Sequence, residues 1–174
     1  MGTINAAALV SHQPGIMIPE EGRIAMNGGY DTTLVAGFGD LRARLDAAGV
    51  DTLVIIDTHW FTTFEFVVTS HDRRTGKYTS DELPRGMSQV PYDFPGDPEL
   101  AKLMGEEGAA AGTWITPIDD PCLPIHYATT NLLPFLQGDE RWITVSTPQT
   151  GETDDFLLAG EAIGRAIERS GRRV

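Results

Sequence analysis

The sequence predicts an α/β fold, a mainly parallel central sheet flanked by helices and incomplete at the C-terminus. Three observations carry this. In the stretch DTLVIIDTHW, Thr52 to Ile56 form an unbroken β-branched and aliphatic run, the pattern of a short strand buried on both faces. A similar apolar run, Ile4 to Val10, precedes it, and the segment between them, Thr32 to Ala48, has helical periodicity, so the N-terminal part reads as a βαβ unit. A strand-like run, Arg141 to Thr147, and an amphipathic helix, Thr153 to Ser170, repeat the alternation near the end.

Taken in order, Ile4–Val10 is the first predicted strand and runs into Ser11, His12, Gln13 and Pro14. Ser11 to Tyr30 is rich in Gly and Pro without periodicity, which predicts a long loop over the end of that strand. The helix Thr32–Ala48 places Leu34, Phe38, Leu41 and Leu45 on one face, and Gly49 suits the residue past its end. The strand Thr52–Ile56 then stops at Asp57, Thr58, His59 and Trp60, a second β-rich run covers Phe64–Thr69, and a polar loop holds His71, Tyr78 and Thr79–Pro84. Asp97 caps a helix beginning at Pro98, with Leu100, Leu103 and Met104 as its buried stripe and Gly112 at its end. Ile115–Ile118 is a short strand, the loop Asp119–Tyr127 carries His126, and Thr129–Leu136 is a short helix limited by Pro134. The ending of helix, Gly171, Arg172, Arg173 and Val174 parallels helix, Gly49, Val50 and strand, yet no strand follows, so a fragment or a chain completed by a partner is expected, with an ordinary C-terminus as the alternative.

Length and composition set further bounds. The 174 residues suffice for one domain with a real core. A formal net charge of −12 offers no Lys/Arg stripe to neutralise phosphates, which argues against nucleic acid as partner. The single cysteine, Cys122, precludes an internal disulfide, and neither a membrane-length apolar run nor a signal-peptide pattern occurs, so a cytoplasmic protein without a membrane partner is expected.

The chemistry is expected at the histidines. Ligands of an open parallel sheet bind beyond the carboxyl ends of the strands, and both His12 and His59 follow apolar strands there. Two neutral imidazoles from adjacent strand ends can converge on one Zn, Fe, Cu or Ni ion, and spacing alone does not choose among them. Two histidines with a carboxylate and open positions would suit non-haem iron(II), whereas a closed tetrahedral set would suit zinc.

Several segments carry a resemblance. SHQP at Ser11–Pro14, GVDTLVIIDTHWF at Gly49–Phe61, GKYTSDELP at Gly76–Pro84, YDFPGDPEL at Tyr92–Leu100 and the later PCLPIHYATTNLLPF together resemble the N-terminal part of class III extradiol ring-cleavage dioxygenases. The similarity runs through nearly the whole chain in the family's order, and DTHW followed by YTSDELP is its most specific part. The resemblance implies iron(II) held by His12 and His59 with a glutamate from the C-terminal part of the family fold. It implies ring opening of a catechol such as 3,4-dihydroxyphenylacetate by O2 to a semialdehyde, in an enzyme that is a homo-oligomer when complete. It also implies an acid–base histidine in the C-terminal part, absent here like the glutamate.

His126 departs from the family pattern. Relatives carry Asp-His-Gly or Glu-Tyr-Gly where this chain has His126-Tyr127-Ala128, so a supporting or proton-transfer role stands beside that of a plain loop residue. His71 is expected to be solvated, and Trp60 and Phe61 either wall an aromatic pocket or belong to the core. Asp57, Glu65, Asp119 and Asp120 are the carboxylates that could in principle replace the missing ligand. Rival readings are a dioxygenase for another catechol or a 2-aminophenol, and a non-catalytic, metal-binding subunit without the carboxylate.

Overall fold

The computed structural model describes residues 1–174. Its elements are α1 (Glu20–Met26), α2 (Thr33–Ala48), β1 (Thr52–Thr62), β2 (Phe66–Thr69), β3 (Arg73–Tyr78), β4 (Val90–Pro95), α3 (Pro98–Ala111), β5 (Ile115–Ile118), α4 (Tyr127–Thr130), α5 (Leu133–Leu136), β6 (Arg141–Pro148) and α6 (Thr153–Ser170). The central sheet has the order β1-β6-β2-β5. β1 and β6 are parallel, as are β2 and β5, and one antiparallel bridge, Val68 to Val145, joins the two pairs. β3 and β4 form a separate antiparallel hairpin.

The helix ends follow from their sequences. The Thr32 side chain accepts the Leu34 N–H, and Gly49 closes α2 in the left-handed region at φ 63°, where a glycine avoids a Cβ clash. Asp97 Oδ1 accepts the Leu100 N–H at 3.1 Å, with Pro98 at the first helical position of α3. The Asp97 carboxylate also accepts from Arg172 Nε at 2.6 Å, tying the start of α3 to the residues after α6. α6 opens with a reciprocal capping box between Glu152 and Asp155 and buries Ala159, Ala162, Ile163, Ala166 and Ile167. That stripe joins Leu100 and Met104 of α3 and Val68 and Val145 of the sheet in one core cluster. On the other face, Phe38, Leu45, Leu53, Phe94 and Trp142 form a second.

Four expectations need correction. Ile4–Val10 forms no strand: the N-terminal segment has one parallel bridge, Thr3 to Arg173, and Ile4 and Leu9 are exposed. The segment's backbone pairs only at the start, where Thr3, Asn5 and Ala6 bond to Arg172 and Val174, and Ala7–Val10 join no ladder. β1 does not end at Ile56 but continues to Thr62, with a register shift between Ile56 and Phe61. Ser11–Tyr30 contains a turn of 3₁₀ helix, Pro14–Met17, and α1, whose fold is held by Arg23 clasping Asp31 at 2.7 Å. The hairpin β3–β4 replaces part of a predicted loop. Prolines at its strand ends hid it, and they are tolerated because both strands are edges.

Candidate active site

Asp57 organises the site. It is 1% exposed, at the point where the apolar run of β1 ends. Its Oδ1 accepts the backbone N–H of His59 at 2.8 Å and of Trp60 at 3.2 Å. Such an Asx turn bends the backbone locally and coincides with the register shift of β1, so the strand is re-aimed where His59 emerges. Oδ2 accepts from Thr129 of α4, 3.0 Å from its N–H and 2.6 Å from its hydroxyl. One carboxylate thus shapes the β1 backbone at His59 and docks the helix that faces it.

His12 is anchored by its backbone. Asn131 Nδ2, just past α4, donates to the His12 carbonyl at 2.6 Å. The His12 and His59 rings meet edge to face, centroids 4.7 Å apart at 78°. Tyr127, at the first position of α4, lies 4.0 Å from the His59 ring and 5.4 Å from that of His12. Its hydroxyl is 2.5 Å from His59 Nε2. On the opposite side of the ring, His59 Nδ1 is 3.8 Å from the exposed carboxylate of Glu82. Burial lowers the pKa of His12 and the neighbouring His59 adds to this, against opposing pulls from Asp57 and Glu82. The neutral imidazole so favoured is the form that ligates metal. Burial raises the pKa of the Tyr127 hydroxyl, with Glu82, Tyr78 and Asp57 acting in the same direction, so the phenol keeps its proton.

The pair His12 and His59, predicted from sequence, is therefore together in space. His126 stands apart from it. Its ring stacks on Trp60, centroids 5.7 Å apart at 18°, and its buried Nε2 has no hydrogen-bond partner. His71, expected in solvent, is half-buried with Nε2 2.9 Å from the Asp120 carbonyl. Neither Asp57, Glu65, Asp119 nor Asp120 completes a metal site: Asp57 spends both oxygens on N–H and O–H donors, Glu65 pairs with Thr116, and Asp120 caps the Cys122 N–H. No group of three or more His, Cys, Asp and Glu side chains is arranged to hold a metal ion. Two imidazoles facing each other nonetheless suit a divalent ion as part of a donor set, since imidazole serves Fe, Zn, Cu and Ni alike. The sequence reading missed Tyr127, Thr129, Asn131 and Glu82. The one sequence hint was the cluster of polar residues Tyr127, Thr129, Thr130 and Asn131 directly after His126, and only the structure shows that they are buried.

Two predictions arise here. Asn131→Ala leaves the His12 carbonyl without its donor, and removing such a positioning bond should weaken divalent-metal binding by about 10–100-fold, read by iron(II) titration. His126 titrates below the ordinary value of about 6.5, chiefly through burial, with Arg74 and His59 lowering it and Asp57 opposing. Between its folded and unfolded pKa values the unfolded chain binds more protons, so this contribution to stability is complete above about pH 6.5 and lost as pH falls. His126→Gln should flatten the fall in the urea midpoint between about pH 7 and 5, as measured by circular dichroism.

Comparison with known proteins fits this geometry. Residues 6–174 match the family described as the catalytic LigB subunit of aromatic ring-opening dioxygenase. The chain is also 30% identical over 172 residues to 3,4-dihydroxyphenylacetate 2,3-dioxygenase of Escherichia coli, an alignment covering 97% of this chain and 62% of that protein. It thus spans somewhat under two thirds of the curated relative's length. With the match running from the N-terminal segment through the part of β1 that bears His59 to the close of α6 and beyond, the chain belongs to the LigB family of aromatic ring-opening dioxygenases.

Proposed function

We propose that the chain is the N-terminal portion of a single catalytic domain of a non-haem iron(II) extradiol dioxygenase that opens the ring of a catechol, with 3,4-dihydroxyphenylacetate as the favoured substrate. The observation that carries this is the convergence of His12 and His59, 4.7 Å apart, within a chain of this family. The relative's name supports the choice of substrate. His12 and His59 would hold the metal, with the remaining donor supplied from outside the arrangement seen here. Bound there, iron(II) would acidify a diol hydroxyl and bring diol and O2 together.

The other residues act on position and protons. Asp57 and Asn131 fix the two imidazole-bearing segments from the α4 side. The protonated Tyr127 hydroxyl offers a hydrogen bond to an anionic oxygen beside His59, and displacing it from Nε2 frees that nitrogen. His126, behind Trp60 and apart from the histidine pair, would be the proton-holding group, a reading supported by its unpartnered Nε2.

The second reading is a metal-binding subunit without catalysis. The absence of a third donor beside the two histidines favours it. Anaerobic iron(II) titration with and without 3,4-dihydroxyphenylacetate, followed by oxygen uptake in air, tests the proposal. The expected result is iron binding that the diol tightens, through two further oxygen donors, and that the double substitution His12→Ala, His59→Ala abolishes. Diol-independent binding, or binding indifferent to the double substitution, would exclude the proposed site. 2-Aminophenol and unsubstituted catechol in the same titration rank the substrate class.

A further inference from the structure

Strand β3 puts a cation where its inner face should be apolar. Of Arg73–Tyr78 only Arg74 is buried, 6% exposed, and it stands opposite the fully buried Phe94 in the β3–β4 pairing. Its neighbour Arg73 faces outward and pairs with Asp93 across the hairpin at 2.6 Å. Arg74 has no such partner: its one hydrogen bond is from Nη2 to the Leu123 carbonyl, and burial lowers its pKa against Tyr92 alone. The next most sheltered arginines each hold a carboxylate, Arg23 that of Asp31, Arg42 that of Glu140 and Arg172 that of Asp97. A guanidinium keeps its charge at any ordinary pH, so Arg74 is a buried cation without a counter-ion, an arrangement that a bound anion stabilises. A second unpaired group is close by. His126 Nε2 is buried with no hydrogen-bond partner, and besides burial Arg74 helps to lower the pKa of that ring. The two are joined through the loop before α4, where Leu123 holds Arg74 shortly before the chain reaches His126. Cys122 and Pro124, on either side of Leu123, are exposed, so the guanidinium sits directly beneath the surface.

We propose that Arg74 and His126 form a binding site for a carboxylate, whose two oxygens accept from the free N–H groups of the guanidinium and one of them also from His126 Nε2. The planar fork of arginine matches the two oxygens of a carboxylate, and a fixed positive charge without its own counter-ion holds an anion more strongly than a neutral acceptor. The rest of the molecule opposes a chance attraction: with a net charge of −12 the chain repels anions, so a saturable response to a carboxylate calls for a local site. Two sources would supply it. One is the acid side chain of a ring held at the histidine pair, since Trp60, next to His59, stacks on His126. The other is a separate small acid. The inference stands on these contacts and does not rest on the proposed reaction.

The test is urea unfolding of the metal-free chain in sodium acetate or sodium phenylacetate, against sodium chloride at the same ionic strength. A ligand that binds only the folded state raises the midpoint with its concentration and so yields its affinity. Both carboxylates should raise the wild-type midpoint, and benzyl alcohol, a similar ring without the acid, should not. Arg74→Met should lower the phenylacetate affinity by about 10–100-fold and His126→Phe by about 2–10-fold, the scales of a charge-assisted and of an ordinary hydrogen bond. In chloride Arg74→Met should be at least as stable as the wild type, because an apolar side chain of similar length replaces an unpaired charge. A less stable variant would make Arg74 a strut for the loop and overturn the proposal. Equal wild-type midpoints in the three salts, or a carboxylate response of the same size in Arg74→Met, would also overturn it. With iron(II) present, 3,4-dihydroxyphenylacetate separates the sources. Displacement of acetate that vanishes in the His12→Ala, His59→Ala variant assigns the site to the acid side chain of the ring, and displacement that persists assigns it to a free acid.

Discussion

Asp57→Ala is expected to destabilise the chain by about 3–5 kcal/mol, the range for removing one partner of a buried, charge-assisted network. Asp57 is 1% exposed and accepts from the His59 and Trp60 N–H groups and from both the N–H and the hydroxyl of Thr129. Alanine leaves all of those donors without an acceptor. For a domain of this size the melting temperature should fall by roughly 6–20 °C. Asp57→Asn keeps one carbonyl oxygen and should cost less, about 1–2 kcal/mol, since one side of the network survives. Urea unfolding of the three proteins checks both values, and equal stability of wild type and Asp57→Ala would remove Asp57 from its organising place. Because Oδ1 also fixes the His59 backbone, the alanine variant should lose metal binding at concentrations where it is still folded.

His59→Ala is expected to reduce iron(II) affinity by more than about a hundredfold, beyond the 10–100-fold typical of a supporting residue, because it removes a donor outright. Glu82→Ala makes the informative contrast. Its carboxylate reaches 3.8 Å from His59 Nδ1 but is 63% exposed, so solvent screens it and the affinity should change by less than about threefold. Isothermal titration with iron(II) under argon separates the cases. A large effect at Glu82 together with a small one at His59 would make the carboxylate the ligand and leave the imidazole as its support.

Much of the architecture was legible because it rests on local signals. Thr32 with Gly49, Asp97 with Pro98 and Gly112, and the acidic start of Thr153–Ser170 each bound a helix through groups adjacent in sequence. The apolar strands Thr52–Ile56, Ile115–Ile118 and Arg141–Thr147 were legible for the same reason, and LigB family membership agrees with the resemblance read from motifs. Where pairing across distance decides, the residues misled. Ile4–Val10 has a strand's composition but meets only Val174, through Asn5 and Ala6, and Arg73–Tyr78 has a loop's composition but finds β4. The site divides the same way. His12 and His59 stand out because each follows an apolar run, whereas Tyr127 and Asn131 matter only through where α4 docks, which no pattern near them states.

That docking bears on the order in which the molecule acquires its site. The bond from Asn131 to His12 closes a loop of 119 residues, and those from Thr129 to Asp57 close 72. Contacts so distant along the chain form slowly, since much chain entropy is lost before they are made. The two imidazoles are therefore free of each other through early folding, when βαβ hydrogen bonds and helices can already exist. A divalent ion present at that stage meets single histidines instead of a pair, so metal should enter after α4 has docked and retention of the ion should report the last step of folding.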